Sequence, residues 1–401
     1  MFNSPKDQLP HIVLVGPRNV GKSSLINALT AQKVSLVSET PGTTTDPVER
    51  RYELQPLGPV VWIDTAGIDD VGDVGLLRVE RTKVALKQAD VFLIVLDPDT
   101  SDTLHEGLLA ELPSTTPRCV VLNKCDLLTT SERLTTLQKL KSRWGQGLIP
   151  VSTLNGEGVD TLKDALVATL SDSFFVPELL SDIVKENELV VLVIPIDKEA
   201  PVGRIIHPQA QALRALLDIG AQVMVVRETE LADALKNRLA TPPSLVITDS
   251  QAFAYVSKIV PKSVKLTSFS ILFARQKGNL KAYANGAKRL EQLTPDKPIL
   301  IAESCSHRPI GEDIGRIKIP RWLKEKTGHD FTFDIAVGKD WPRDIQKYQL
   351  IIQCGGCMSN RPFIQNRIKA AQDAGVPITN YGVTIAWLTG ILDRALKPFS
   401  D

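Results

Sequence analysis

The run Gly16-Pro-Arg-Asn-Val-Gly-Lys-Ser23 constrains this chain more than any other stretch. It lies between an apolar run, Ile12 to Val15, and a helical pattern that starts near Ser23, so it reads as strand, loop, helix. Glycines at its first and sixth positions let backbone N–H groups wrap an anion, and the helix N-terminus adds a favourable dipole. Lys22 is then placed to reach β and γ phosphate oxygens, Ser23 to ligate Mg²⁺, and Gly21 and Ser24 to line the same cradle. A loop of this kind predicts a parallel α/β sheet that presents it at the carboxyl ends of its strands.

Two further motifs narrow the ligand. Asp64-Thr-Ala-Gly67 ends the apolar run Val60 to Ile63, which places Asp64 where it can hold Mg²⁺ through water and Gly67 where its amide can sense a γ-phosphate. Asn123-Lys-Cys-Asp126 follows the run Cys119 to Leu122. A carboxylate there accepts hydrogen bonds from the N1–H and exocyclic amine of guanine, a pair that adenine does not offer. Asn123, Lys124 and Asp126 are therefore read as the base-binding group, with Ser152 and Thr153 closing over the base after a strand ending at Val151. The expected ligands are GTP and GDP with Mg²⁺.

The α/β rhythm continues beyond this region. Apolar runs at Val91 to Leu96 and Leu148 to Val151 complete the first domain, assigned to residues 1–172. A second α/β section, 177–264, has strands expected at Leu189 to Ile196, Ala221 to Val226 and Leu245 to Thr248. Its helices are expected over Pro208 to Asp218, Glu230 to Leu239 and Gln251 to Ile259. The third, 265–401, has strands at Ile299 to Ala302, Phe331 to Ala336 and Leu350 to Gln353, with helices over Pro320 to Thr327 and Pro362 to Ala374. The fold class is thus α/β: a P-loop GTPase domain with a parallel-type sheet flanked by helices, followed by two smaller α/β domains.

Five cysteines are spread unevenly. Cys119 and Cys125 belong to the first domain and read as structural. Cys305-Ser-His307 and Cys354-Gly-Gly-Cys357 each follow a predicted strand of the third section, and those strand ends become neighbours if both strands share one parallel sheet. Glycines inside C-x-x-C let the chain curl around a metal. Three thiolates favour an iron–sulfur cluster or zinc, and zinc bound by Cys305, His307, Cys354 and Cys357 has a complete ligand set. A redox dithiol and plain buried cysteines compete with both.

Composition excludes other classes. The net charge is +1 and aromatics make up 5%, so neither a global basic field nor stacking platforms for nucleic acid are expected. The apolar runs are far shorter than the ~20 residues that span a bilayer, and Met1 to Pro10 has no signal-peptide pattern, which makes a cytoplasmic location the expectation.

The nucleotide motifs, together with Ser38-Glu-Thr-Pro-Gly-Thr-Thr-Thr-Asp46, resemble the Era and TrmE-like group of GTPases. That resemblance implies a first switch in which Thr44 ligates Mg²⁺. It also implies K⁺ bound near Asn19 in place of an arginine finger, although Asn19 is equally readable as a turn residue bonding its own backbone. Ile68 follows Gly67 where Ras-like GTPases carry a water-orienting glutamine, so slow intrinsic hydrolysis is expected.

With the cysteine pattern added, the whole chain resembles the HydF family of FeFe-hydrogenase maturation GTPases. The resemblance implies a 4Fe–4S cluster on Cys305, Cys354 and Cys357, with His307 a weaker ligand and the fourth iron site open or exchangeable. Many members carry a histidine directly before C-x-x-C; Gln353 stands there in this chain, so His307, an acidic residue such as Glu303, or water remain for the fourth position. The resemblance further implies a homodimer formed through the middle section and a transiently bound diiron precursor. Radical-SAM maturation enzymes would supply that precursor, and apo FeFe-hydrogenase would receive it. The alternative is an Era-type, ribosome- or RNA-associated GTPase with a zinc-binding accessory domain.

Overall fold

The computed structural model describes residues 6–17, 19–30, 48–65, 85–99, 112–145, 147–174, 177–196, 205–304, 312–338, 340–357 and 359–400. It divides into two compact units, Met1–Phe175 and Val176–Asp401.

In the first unit the strands are β1 (His11–Val15), β2 (Val48–Leu54), β3 (Gly58–Asp64), β4 (Val91–Leu96), β5 (Arg118–Leu122) and β6 (Ile149–Pro150). They form a six-stranded sheet in the order β2-β3-β1-β4-β5-β6, parallel except where β2 runs antiparallel to β3. The helices are α1 (Lys22–Thr30), α2 (Thr130–Trp144) and α3 (Val159–Ser173).

Side chains alternate across the sheet, and both faces are dry. Val13, Val15, Ile63, Phe92, Ile94 and Leu96 pack on one side with Leu140 of α2. Ile12, Leu14, Trp62, Leu93 and Val95 pack on the other with Leu25 and Leu29 of α1 and Leu162 and Leu166 of α3. Continuous apolar strands follow from this, because a parallel sheet covered twice leaves no polar face. The edge strand β2 is the exception and was not anticipated: its VERRYEL run is largely charged, as an edge beside solvent tolerates.

The second unit holds two four-stranded, wholly parallel sheets. The first contains β7 (Leu189–Val193), β8 (Gln222–Val226), β9 (Leu245–Thr248) and β10 (Lys265–Ser268), in the order β10-β9-β7-β8. The second contains β11 (Ile299–Ala302), β12 (Phe333–Ala336), β13 (Leu350–Gln353) and β14 (Ile378–Asn380), in the order β12-β11-β13-β14. The principal helices, in chain order, are α4 (His207–Ile219), α5 (Phe253–Ile259), α6 (Phe269–Lys277), α7 (Leu280–Lys288), α8 (Ile319–Thr327), α9 (Arg361–Asp373) and α10 (Tyr381–Leu388).

The expected boundary at 264 needs correcting in one respect. Lys265–Ser268 was placed in the third section, yet it pairs with β9 residue for residue and completes the middle sheet. One apolar core then runs from Val191 and Val246 through Ile271 to Ile301 and Ile351, joining both sheets. Burying Leu266 and Ile271 in that shared core favours attachment by roughly 1.5–3 kcal/mol per side chain. The helix expected over Glu230 to Leu239 is present as one continuous helical run, an α turn at Leu231–Asp233 passing directly into a π-helical turn at Ala234–Arg238.

Candidate functional site

The parallel registers Leu14 with Asp64, Val15 with Ile94, Leu96 with Leu122 and Leu122 with Pro150 bring the strand ends to one edge. Each nucleotide motif follows one of those ends. Gly21 has φ +91°, and a Cβ there would stand 2.4 Å from Nδ2 of Asn123, so only glycine lets the loop lie this close to β5. Asn123 ties the two motifs: its Nδ2 donates to the Val20 carbonyl at 2.8 Å, and its Oδ1 accepts from the Thr153 N–H at 3.3 Å.

Lys22 folds back on its own loop, donating to the carbonyls of Gly16 at 2.9 Å and Pro17 at 2.7 Å. Ser23 Oγ donates to Asp64 Oδ2 at 3.0 Å, while Asp64 Oδ1 is buried with no hydrogen-bond partner. Burial pushes the Asp64 carboxyl up, with Lys22 and the Ser23 hydroxyl pulling the other way. A buried, half-satisfied carboxylate beside a serine hydroxyl suits a hydrated Mg²⁺, which would fill the open lone pairs.

At the far end of the edge, Lys124 takes a left-handed conformation (φ 60°) and pairs with Asp97 at 3.2 Å. Ser152 Oγ donates to Asp126 Oδ1 at 2.5 Å and accepts from the Leu154 and Asn155 N–H groups. Asp126 itself is exposed, so its other carboxylate oxygen faces solvent where a base would enter. Asn19 is also exposed and left-handed, at φ 60°. Ser24 is exposed on the first turn of α1. The structure therefore brings together Asn19, Gly21, Lys22, Ser23, Ser24, Asp64, Asn123, Lys124, Asp126, Ser152 and Thr153. Thr44, Gly67 and Ile68 lie outside the described residues.

The cysteine segments meet as the parallel-sheet argument requires. β11 and β13 are neighbours in register, Ala302 opposite Gln353. The Cys354 N–H donates to the Ala302 carbonyl at 2.9 Å, and the Ser304 N–H donates to Cys354 Sγ at 3.0 Å. Ser304 immediately precedes Cys305; Cys305 and His307 lie outside the described residues. Gly356 has φ +61°, and a Cβ on it would come within 2.6 Å of Ile364 Cδ1, so the turn requires glycine here. Neither Cys354 nor Cys357 is in a disulfide. Two thiols outside any disulfide, the first already accepting a backbone N–H, could contribute two ligands to a metal–thiolate site.

Sequence reasoning missed the layer behind these thiols. Arg367 of α9, 4% exposed, donates to the carbonyls of Glu303 at 3.4 Å and Gly338 at 2.6 Å. It lies against the rings of Trp341 and Phe363, with centroids 5.0 and 4.6 Å away. Burial pushes its guanidinium down to about 10, and the nearby Cys354 and Tyr283 oppose the drop, so it stays charged at neutral pH. Gln353 is buried, donates from Nε2 to Tyr283 Oη at 3.3 Å and leaves Oε1 without a partner. Arg316 clamps both oxygens of Glu303, from Nε at 3.1 Å and Nη2 at 2.6 Å. Gln353 and Glu303 were named from the sequence, but no single-residue signal pointed to Arg367, Tyr283 or Arg316, because register and helix docking, not local sequence, place them.

Three family models match the chain. The model described as 50S ribosome-binding GTPase matches residues 11–124, the hydrogen maturase F dimerization domain 179–278 and the hydrogen maturase F tetramerization domain 281–398. The last two meet just after α6, beyond β10. Among curated proteins, the mitochondrial tRNA modification GTPase MSS1 of Saccharomyces cerevisiae is 37% identical over 172 residues, which is 41% of this chain and 32% of that protein. The tRNA modification GTPase MnmE of Nitrosomonas europaea is 36% identical over 160 residues, 39% of this chain and 34% of its own. The chain thus spans about a third of the length of these relatives. Among solved structures, Era from Aquifex aeolicus aligns with a TM-score of 0.36 at 20% identity, covering 55% of this chain and 93% of its own. The G domain of the FeoB iron transporter from T. maritima aligns at 0.32 and 24%, covering 40% and 98%. No helix among the described residues is long and apolar enough to cross a membrane. A GTPase domain followed by two hydrogen maturase F domains that span more than half of the 401 residues places the chain in one family: it belongs to the hydrogen maturase F family.

Proposed function

We propose that this GTPase is a scaffold that binds a 4Fe–4S cluster through Cys305, Cys354 and Cys357 and carries a diiron precursor to apo FeFe-hydrogenase. The observation that carries the reading is the adjacency of β11 and β13, which sets Ser304 against the Cys354 sulfur within a chain of the hydrogen maturase F family. Three thiolates rather than four leave one iron of a cluster exchangeable, and that is the chemistry a carrier of a metal precursor needs. Radical-SAM maturation enzymes are the proposed donors, the cytoplasm the proposed location, and His307 a secondary ligand. The clamp of Glu303 to Arg316 disfavours it for that role.

At the nucleotide site, Lys22 exchanges its loop carbonyls for phosphate oxygens, and the backbone N–H groups of the loop hold the same phosphates. Ser23, Asp64 and Thr44 would hold Mg²⁺, which would neutralise charge on the phosphates. The Gly67 amide senses the γ-phosphate, and Asp126 accepts from guanine. Asn19, exposed beside the loop, offers its carbonyl oxygen to K⁺. GTP state regulates docking of the partner proteins rather than driving cluster chemistry. The middle section supports a homodimer: its edge strand β8 is largely solvent-facing, with Val225 47% exposed, and the dimerization model covers it.

The test is anaerobic reconstitution with ferrous iron and sulfide, followed by iron, sulfide and zinc analysis with optical and EPR spectra. About four irons per chain, lost in a Cys305, Cys354 and Cys357 triple alanine variant, is the expected result. One zinc per chain and no cluster would replace this reading with that of a zinc-stabilised GTPase.

A further inference from the structure

The C-x-x-C turn is gripped from beneath by a side chain that comes from the end of another helix. Lys277 is the last residue of α6, the helix that follows strand β10 of the middle sheet, and it is 4% exposed. Its Nζ donates to the carbonyl oxygens of Gly356 at 3.2 Å, Cys357 at 3.3 Å and Ser359 at 3.1 Å. Three carbonyl acceptors use three N–H donors, and only the ammonium form of lysine has three. A buried charge costs several kcal/mol unless its donors are met, and here carbonyl dipoles meet all of them. The face of Phe273 adds a cation–π contact at 5.7 Å. A second tie fixes the same helix end: Gln365 of α9 donates Nε2 to the carbonyls of Lys277 at 3.1 Å and Gly278 at 2.8 Å.

Those bonds set the conformation of the turn. With their carbonyls drawn toward Nζ, Gly356, Cys357 and Ser359 cannot rotate those peptide groups independently, and the Cys357 side chain leaves from a fixed backbone. Arg367 is close enough to Cys354 to interact with it electrostatically and reaches Ser304 Oγ at 3.5 Å. Two buried cations therefore lie near the C-x-x-C segment. A cluster held by three thiolates carries net negative charge, and reduction adds to it, so buried cations are the complementary surroundings.

We propose that Lys277 is a positioning residue of the metal–thiolate site: it locks the backbone of the C-x-x-C turn and, with Arg367, supplies the positive charge that steadies an anionic cluster. The inference rests on the cluster reading above. A lysine that merely stabilised the fold would leave the electronic properties of the cluster unchanged.

The test compares the full chain with Lys277→Met, which removes charge and donors, and Lys277→Gln, which keeps donors and loses the charge. Each is reconstituted anaerobically with ferrous iron and sulfide. The midpoint potential, read by EPR-monitored titration, is expected to move to more negative values in both variants, because the reduced cluster loses a counter-charge. Iron loss to a ferrous chelator is expected to rise about tenfold or more in the methionine variant and less in the glutamine variant. GTP turnover checks that the first unit is intact, and circular dichroism checks the second. If the methionine variant fails to fold, the glutamine variant decides the matter alone through its potential. Wild-type potential and wild-type iron retention in the folded variants would overturn the proposal. A parent protein that takes up no iron would overturn the cluster reading, and this inference with it.

Discussion

Both candidate sites lie just past the carboxyl ends of parallel strands, and in both a lysine donates to the carbonyls of the loop that carries the chemistry. Lys22 makes two such bonds from a half-buried position, whereas Lys277 makes three and is nearly sealed from solvent. The difference separates two roles. A half-buried lysine bonded to two neutral carbonyls gains charge-assisted bonds when it exchanges them for phosphate oxygens, so its loop is poised to receive an anion. A dry lysine with every donor engaged has nowhere cheaper to go, and its loop is fixed. The nucleotide site is built to exchange its ligand; the cysteine turn is built to hold a geometry.

The strongest way to break this comparison is to remove the thiols. Cys354→Ala with Cys357→Ala is expected to abolish iron uptake after reconstitution while GTP turnover stays within about twofold, since the two sites belong to separate compact units with no shared residues. Loss of GTP turnover in that variant would mean the two sites are not separable. Next in size is Lys22→Ala, for which hydrolysis should fall by about 10³-fold in a phosphate-release assay, as expected when a charge clamp on the transferred group is lost. Its iron content should match the parent.

Asp126→Asn sharpens the assignment of the base. Guanine affinity should drop by roughly 100-fold or more by calorimetry, because the amide N–H₂ now faces the exocyclic amine. A xanthosine nucleotide, with a carbonyl at that position, should gain. Unchanged guanine affinity would remove Asp126 from the site. Gly356→Ala is a smaller perturbation: forcing a Cβ into a left-handed residue against Ile364 should cost about 1–3 kcal/mol, read as a lower melting temperature of the second unit.

The smallest expected effect is on pH dependence. The folded-state pKa of Asp64 is raised above its ordinary value of 3.8, chiefly by burial. The native state therefore holds that proton more tightly than the unfolded chain, and stability is lost as pH rises from that value through the folded pKa. In nucleotide-free protein at neutral pH, Asp64→Asn should raise the melting temperature slightly, even as it removes Mg²⁺-dependent hydrolysis. A lower melting temperature for the variant would show that the carboxylate is already compensated.

The local motifs were legible because their chemistry is contiguous. Gly16 to Ser23, Asp64, and Asn123 to Asp126 each follow an apolar strand directly, and the registers of β1, β3, β4, β5 and β6 needed only the usual parallel arrangement. The core strands β9, β11 and β13 were equally plain, being short apolar runs buried on both faces. Less legible were β2, whose edge position permits charges, and β14, whose three residues carry too little pattern. Strand β10 was not anticipated, since its four residues, KLTS, carry too little pattern, and the third section was therefore begun at Lys265 although these residues pair with β9.

By itself the sequence determined the guanine-nucleotide apparatus and the identity of the thiol donors, since both are written as residue types at short, fixed spacings. Tertiary structure decided that Ser304 meets Cys354 across 50 positions, that Arg316 pairs with Glu303, and that the buried cations Lys277 and Arg367 lie near the C-x-x-C segment. The physical reason is that a buried cation or a long-range hydrogen bond is a property of sheet register and helix docking. Those are fixed by the summed packing of a whole unit, and no short stretch of chain encodes them.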